Sequence, residues 1–215
     1  MTSGSGVRCA FLDTTGVSLD LLRRDEIARA WDGPSALRHW AVSGLAGHLV
    51  RGTTSVEAYL DRSTDVTEEP VTAAGYYAAA VDSADLDSEL HQAIRRRGDD
   101  MAAGGHQALV EDLAQANARL QLRLESEPAN RKLRAHKGIP LLLDDYLITR
   151  VVELTTHIDD LAVSARISTP PISAHATTLA IGCLIEVARL RAGDVAVLRA
   201  LTRRERDTTD ALRVL

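Results

Sequence analysis

Apolar residues recur at intervals of three and four positions through most of this 215-residue chain. This spacing places them along one face of an α-helix. Alternating runs of β-branched residues and Asn-Gly hairpin turns, which would indicate a β-sheet, are missing. The pattern therefore predicts an all-α protein.

Proline, glycine and polar segments divide this pattern into elements. Gly33 and Pro34 interrupt it, and Ser35 is well placed to cap the helix that follows. We expect loops in the polar segment 61–70 and the basic segment 129–140, and a break at residues 168–173. Helices are predicted over residues 5–31, 42–61, 71–98 with a possible break near Asp85, 98–128 with a weak start around Gly104 and Gly105, 140–165, 175–194 and 201–215. Four long helices predict an antiparallel four-helix bundle over residues 1–165, with 166–215 as a C-terminal helical extension packing on it.

Composition narrows the classes of partner. The net charge of −5 and the scattered charges of both signs argue against nucleic-acid binding. Cys9 and Cys183 lack the spacing of a disulfide framework or a thiolate zinc site, so we expect a reducing cytoplasm. The N-terminus does not resemble a signal peptide, and no apolar run approaches the roughly 20 residues needed to span a membrane. We therefore expect a protein that is neither exported nor embedded in a membrane. A monomer or homodimer is expected.

Two stripes run side by side along the predicted helix 140–165. The apolar stripe is Leu147, Val151, Leu154, Ile158, Leu161 and Ala165, which should face the core. The polar stripe is Tyr146, Arg150, Glu153, His157, Asp160 and Ser164. A buried carboxylate is costly unless it is paired or binds a metal, so this polar stripe requires partners.

Glu153 and His157 are four residues apart, so both side chains can reach one metal ion. An intrahelical hydrogen bond, or an Arg150–Glu153 ion pair, would explain the same pattern without a metal. Helix 42–61 carries a matching polar stripe of His48, Arg51 and Ser55 beside its apolar face. If the stripes face each other, His48, Glu153 and His157 form a metal site with open coordination positions.

Two segments carry a family resemblance. Residues 31–52, WDGPSALRHWAVSGLAGHLVRG, and residues 149–164, TRVVELTTHIDDLAVS, resemble the two motifs of the mycothiol-dependent maleylpyruvate isomerase family, within the DinB-like superfamily of helical bundles. The resemblance implies a DinB-like metal-binding bundle whose ligands fall on His48, Glu153 and His157. It places at Asp160 an aspartate that would orient the last histidine.

The resemblance also implies a divalent metal, usually zinc, which lowers the pKa of a low-molecular-weight thiol such as mycothiol. The thiolate would attack an electrophilic small molecule, as in an isomerase or a thiol transferase. Arg51 and Arg150 would then hold a carboxylate of the substrate or cofactor. The resemblance also implies that the isomerase itself has a second domain that helps form the active site. The residues after Pro171 look helical and are too few for such a domain.

Two other functions fit the same residues. A thiol-independent metal enzyme would act as a hydrolase, lyase or cyclase. A non-catalytic bundle would bind a small molecule and use the polar stripes only for stability. The remaining aromatic and histidine residues are expected to have packing, surface or capping roles: Trp31, Trp40, Tyr76, Tyr77, His39, His91, His106, His136 and His175.

Overall fold

The computed structural model describes residues 4–62, 65–80, 87–202, 205 and 209–214. These residues form α-helices and one short β-hairpin, which confirms the all-α fold. The helices are α1 (Gly4–Leu22), α2 (Asp25–Ala30), α3 (Val42–Leu60), α4 (Ala73–Ala80), α5 (Glu89–Ala102), α6 (His106–Ser126), α7 (Leu143–Ser164), α8 (Ala174–Ala192) and α9 (Asp194–Thr202). The strands are β1 (Lys132–Arg134) and β2 (Pro140–Leu142). None of the described helices is long and apolar enough to cross a membrane.

The bundle consists of α1, α3, α6 and α7. Each of them packs against two of the others, in the cyclic order α1, α6, α3, α7. Their shared interior contains fully buried leucines and other aliphatic side chains, as the scarcity of aromatic residues requires. Outside this ring, α5 packs on α3, while α8 packs on α7 and α4.

Polar contacts show the direction of the neighbouring helices. His48 lies opposite Glu153 and Ser55 lies opposite Tyr146, so α3 and α7 are antiparallel. Arg8, near the start of α1, contacts both Asp144 at the start of α7 and the Leu124 carbonyl near the end of α6. Helix α1 is therefore parallel to α7 and antiparallel to α6.

Two ion pairs, Glu57 with Arg119 and Asp61 with Arg123, advance together along α3 and α6. These helices are thus parallel. The long connection through α4 and α5, which lies between them in the chain, permits this direction. The bundle is consequently up-down-down-up.

The predicted helix over residues 5–31 is wrong in its length, because it ends at Leu22 and restarts at Asp25. Arg24 is extended, with φ −71° and ψ 137°, and the change of direction allows Ile27 to be fully buried. The ring of His106 donates from Nε2 to the carbonyl oxygen of Leu22, at the last residue of α1, at 2.7 Å. His106 therefore caps the end of α1, as the capping role expected for such histidines suggested.

Three further boundaries differ from the prediction. The boundary predicted at residue 98 is wrong, because α5 continues through it to Ala102 and α6 begins at His106. The Ser35 hydroxyl accepts a hydrogen bond from the Leu37 amide at 3.1 Å, and α3 begins seven residues after Ser35 without a side-chain cap. In place of a helix over 201–215, α9 ends at Thr202 and residues Thr209–Leu212 form a 3-10 turn. The predicted break near Asp85 and residues 203–204, 206–208 and 215 lie outside the described residues.

The basic segment predicted as a loop forms β1 and the turn of the hairpin, and β2 begins at its last residue, Pro140. Leu133 pairs with Leu141, and both are buried at 2 % exposure or less. Lys137 and Gly138 have positive φ angles of 58° and 74°, which allow the chain to reverse within a few residues. The hairpin places His136 beside the bundle.

A glycine contact sets the position of α5. A β-carbon at Gly98 would lie 2.5 Å from the carbonyl oxygen of Gly44 on α3. Only glycine permits this approach of the two backbones, so α5 lies directly against the helix that carries His48.

Candidate metal centre

Three side chains of metal-ligand type converge between α3 and α7. Nε2 of His48 lies 3.4 Å from Oε2 of Glu153, and Nε2 of His157 lies 3.6 Å from the same oxygen. The three ligand atoms lie within 4.8 Å of one another. The structure therefore brings together the three residues that the polar stripes predicted.

The spacing of these atoms suits one small divalent cation. Ligands at about 2.1 Å from a tetrahedral ion are separated by about 3.4 Å along the edges of the tetrahedron. The two nitrogen-to-oxygen distances of 3.4 and 3.6 Å are close to this value. The side chains of His48, Glu153 and His157 remain 17 %, 21 % and 15 % exposed, so a small molecule can reach them.

Two of these side chains are held by further hydrogen bonds. Nδ1 of His157 donates to Oδ2 of Asp160 at 2.9 Å, which turns Nε2 toward the cluster. The hydroxyl of Tyr77 donates toward Oε1 of Glu153 at 2.9 Å and also lies 3.0 Å from the Thr149 carbonyl oxygen. This leaves Oε2 of Glu153 facing the two histidines.

His48 is held by ring packing instead. Its Nδ1 is buried without a hydrogen-bond partner among the described residues. Its ring centroid lies 5.2 Å from the Trp40 ring and 4.8 Å from the ring of His157, nearly perpendicular to the latter. Trp40, expected to pack the turn before α3, thus also contacts a member of the cluster.

The three groups have different protonation preferences. Burial is the largest influence on His48 and lowers its pKa. Burial also opposes charge on His157, but hydrogen bonds to Asp160 and Glu153 raise its pKa to about 9. Although burial disfavours the carboxylate of Glu153, the hydrogen bonds from both histidines hold its pKa well below the usual range. The metal-free cluster at neutral pH is thus a carboxylate, one imidazolium and one neutral imidazole.

The two arginines predicted beside the cluster both face a cavity. Nε of Arg150 donates to the Thr149 hydroxyl at 3.1 Å, and its guanidinium lies 4.9 Å from the centre of the Tyr146 ring. Arg150 forms no ion pair with Glu153 in the described part of the chain, which excludes the direct ion pair considered as an alternative. Arg51 lines the same cavity.

Two cavities reach the cluster. The first, of about 160 Å³, borders His48 and Glu153 and contains Arg51 and Arg150. The second, of about 360 Å³, borders all three cluster residues and is lined in part by Leu37, Trp40 and Ile94. The cluster is therefore accessible from a strongly basic cavity and from a more apolar one.

A known protein family matches most of this chain. The model of the mycothiol maleylpyruvate isomerase N-terminal domain matches residues 14–162, which is more than half of the chain. The chain belongs to this family. No curated protein and no solved structure matched it.

The family match includes all three cluster residues and every member of the two polar stripes except Ser164, since it extends from α1 nearly to the end of α7. It confirms the resemblance carried by residues 31–52 and 149–164. Residues 163–215, with α8 and α9, lie outside the matched part of the family model. The division of the chain near residue 165 stays a prediction.

Sequence reasoning missed three residues around the cluster of His48, Glu153 and His157. Tyr77 was expected to serve in packing, but its hydroxyl contacts Glu153. His136 was expected at the surface, but the hairpin places it in the basic cavity. Arg97 was not singled out, since it ends the run Arg95–Arg97, which is typical of a solvated helix face. None of the three has a spacing within its own element that indicates its role.

Proposed function

We propose that this chain is a metal-dependent enzyme that activates a low-molecular-weight thiol for attack on an electrophilic small molecule. The observation that carries this function is the convergence of His48, Glu153 and His157 within 4.8 Å in a chain of this family. The proposed metal is Zn²⁺, which suits two nitrogen ligands and one oxygen ligand and would lower the pKa of a thiol that binds it.

The residues of the chain supply ligand geometry and orientation. Asp160 holds the ring of His157, and Tyr77 holds the carboxylate of Glu153, so the three ligand atoms are arranged before a metal binds. With three protein ligands, coordination positions remain for a reactant. This distinguishes the proposed site from a closed structural zinc site.

The two cavities suit a reaction between two molecules. The basic cavity offers Arg51 and Arg150 to an anionic group, and the more apolar cavity approaches the cluster from beside Trp40. Mycothiol, or another small thiol, is the proposed co-substrate. Departure of the thiol after addition would give an isomerase, whereas its retention in the product would give a thiol transferase.

Metal binding is the first test. Metal analysis of the purified protein should find close to one Zn²⁺ per chain, or the same ratio after loading. His48→Ala should weaken Zn²⁺ binding by more than about 100-fold, because it removes a ligand rather than an outer contact. His175→Ala, on the exposed start of α8, is the matched control and should bind normally. Equal metal affinity in both variants would exclude the proposed site.

Thiol dependence is the second test. The Zn²⁺-loaded protein is incubated with mycothiol and a panel of electrophiles, including α,β-unsaturated acids, and thiol consumption and product geometry are followed. We expect turnover only with both the metal and the thiol. Turnover that needs the metal but not the thiol would instead assign a hydrolase, lyase or cyclase. The absence of turnover together with normal metal binding would favour a binding protein.

A further inference from the structure

The basic cavity beside the cluster has an unusual charge balance. It contains three arginines from three helices: Arg51 of α3, Arg97 of α5 and Arg150 of α7. We call it the arginine cavity. Among the described residues that line it, Glu153 is the only acidic one, and its carboxylate lies against the two histidines of the cluster.

None of the three guanidinium groups forms an ion pair within the part of the chain that the structure describes. Elsewhere, the half-buried arginines Arg8 and Arg131 do contact carboxylates. Partly burying like charges without counter-charges costs free energy, which folding alone does not repay. Burial opposes the charge of Arg150, but nearby Tyr146 and Glu153 raise its pKa, whereas Arg51 and Arg97 form no ion pair among the described residues. The arginine cavity thus carries an excess of positive charge.

Arg97 shows this most clearly. Its Nε is buried and has no hydrogen-bond partner among the described residues. Burial and the nearby charge of Arg51 lower the pKa of its guanidinium, as expected for a cation that lacks an anionic partner. The neighbouring Arg96 is exposed, so the basic run itself does not require a buried position for Arg97.

The fold holds Arg97 in this place. The contact of Gly98 with the Gly44 carbonyl brings α5 against α3, and Arg97 is the residue just before Gly98. His136, at the turn of the hairpin, lines the same cavity, and burial followed by the charge of Arg97 lowers its pKa. A neutral His136 adds no further charge to the cavity.

We infer that the arginine cavity binds the anionic end of the substrate, and that Arg97 determines specificity for a substrate with two negative charges at that end. The location beside the metal rests on the proposed function, whereas the anion site itself rests on the arginines. A cavity of about 150 Å³ can hold a molecule of the size of benzene, so one of about 160 Å³ accommodates a small group. The shared ligand chemistry is an oxyanion, either a pair of carboxylates or a phosphate.

Binding of simple anions tests this inference without turnover. Succinate and inorganic phosphate are titrated by calorimetry, at low ionic strength, into the full chain in metal-free and Zn²⁺-loaded forms, with neutral succinamide as the reference ligand. We expect at least one anion to bind, and Arg97→Gln to weaken its binding about tenfold or more, because a charge-assisted hydrogen bond is lost. Arg96→Gln, one residue earlier on α5, should have little effect.

The two anions distinguish the two ligand sources. Preference for succinate assigns a dicarboxylate, and preference for phosphate assigns a phosphorylated substrate. Arg97→Lys retains the charge but not the planar pair of donors, so it should bind more weakly than the wild-type protein and better than Arg97→Gln. Melting temperatures check folding, and Arg97→Gln should be no less stable than the wild-type protein in the absence of anions.

Two results would overturn the inference. One is that neither anion binds better than succinamide, and the other is that Arg96→Gln and Arg97→Gln weaken binding equally. The anion measurement is separate from the metal measurement. Anion binding to a chain that does not load Zn²⁺ would support the arginine cavity and refute the proposed function, and the reverse result would do the opposite.

Discussion

The hydrogen bond between Tyr77 and Glu153 offers a direct test of how the candidate metal centre is organised. Tyr77→Phe removes one oxygen from a side chain that is only 1 % exposed and leaves its ring in place. The oxygen lies 2.9 Å from Oε1 of Glu153 and 3.0 Å from the Thr149 carbonyl. The substitution therefore removes the group that turns Oε2 toward His48 and His157.

Two effects of this change oppose each other. A hydrogen bond to a charged group contributes about 1.5–3 kcal/mol, which corresponds to roughly 10- to 150-fold in an equilibrium constant. Loss of the donor also makes the Glu153 carboxylate more basic, which favours metal binding. Removal of outer contacts to metal ligands typically costs about 10- to 100-fold in affinity. Orientation therefore outweighs basicity, and we expect Zn²⁺ affinity to fall about tenfold.

Competition with a chromophoric chelator measures this change. Tyr76→Phe is the matched control, because Tyr76 is the adjacent buried tyrosine and its hydroxyl has no hydrogen-bond partner among the described residues. Thermal melting of the metal-free variants separates loss of fold from loss of affinity. A threefold change in affinity is smaller than the loss of a hydrogen bond to a charged group would cause. If both Tyr77→Phe and Tyr76→Phe bind Zn²⁺ within about threefold of the wild-type protein, the Tyr77 contact does not organise the centre.

Three further changes test neighbouring contacts. Asp160→Ala should lower the pKa of His157 from about 9 and weaken Zn²⁺ binding about 10- to 100-fold, measured by NMR titration and chelator competition. In the wild-type protein, Zn²⁺ affinity should rise about tenfold per pH unit until the pH reaches about 9, because a proton on His157 competes with the metal. Equal Zn²⁺ affinity at two pH values below 9 would contradict this. Arg191→Gln removes bonds to the carbonyls of Tyr77 at 3.0 Å and Val214 at 2.6 Å, so the melting temperature should fall by several degrees, and an unchanged value would show that this contact between α8 and α4 is not stabilising.

Part of the site could be predicted because it depends on one helix. Glu153, His157 and Asp160 lie on one side of α7 for any helix through these residues, since their spacing of four and three places them in neighbouring turns. The same argument applies to His48, Arg51 and Ser55 on α3. The meeting of the two stripes was a hypothesis, and the contacts of His48 with Glu153 and of Ser55 with Tyr146 confirm it.

The remaining residues could not be predicted in this way. Arg97 occurs in a run of three arginines, and helical spacing does not distinguish the partly buried Arg97 from the exposed Arg96. His136 reaches the cavity through two three-residue strands, which are too short to give a pattern of their own. The contact of Tyr77 with Glu153 joins α4 to α7, and these two helices are separated by more than sixty residues of chain.

The sequence by itself determined the helices and the residues that share a face, because helix periodicity is a property of each segment alone. Only the tertiary structure decided which faces meet and at what distance. The contact of Gly98 with Gly44 and the antiparallel packing of α3 and α7 each depend on residues far apart in the chain. Three metal-ligand side chains and three arginines thus share one region because of long-range packing, which no local pattern encodes.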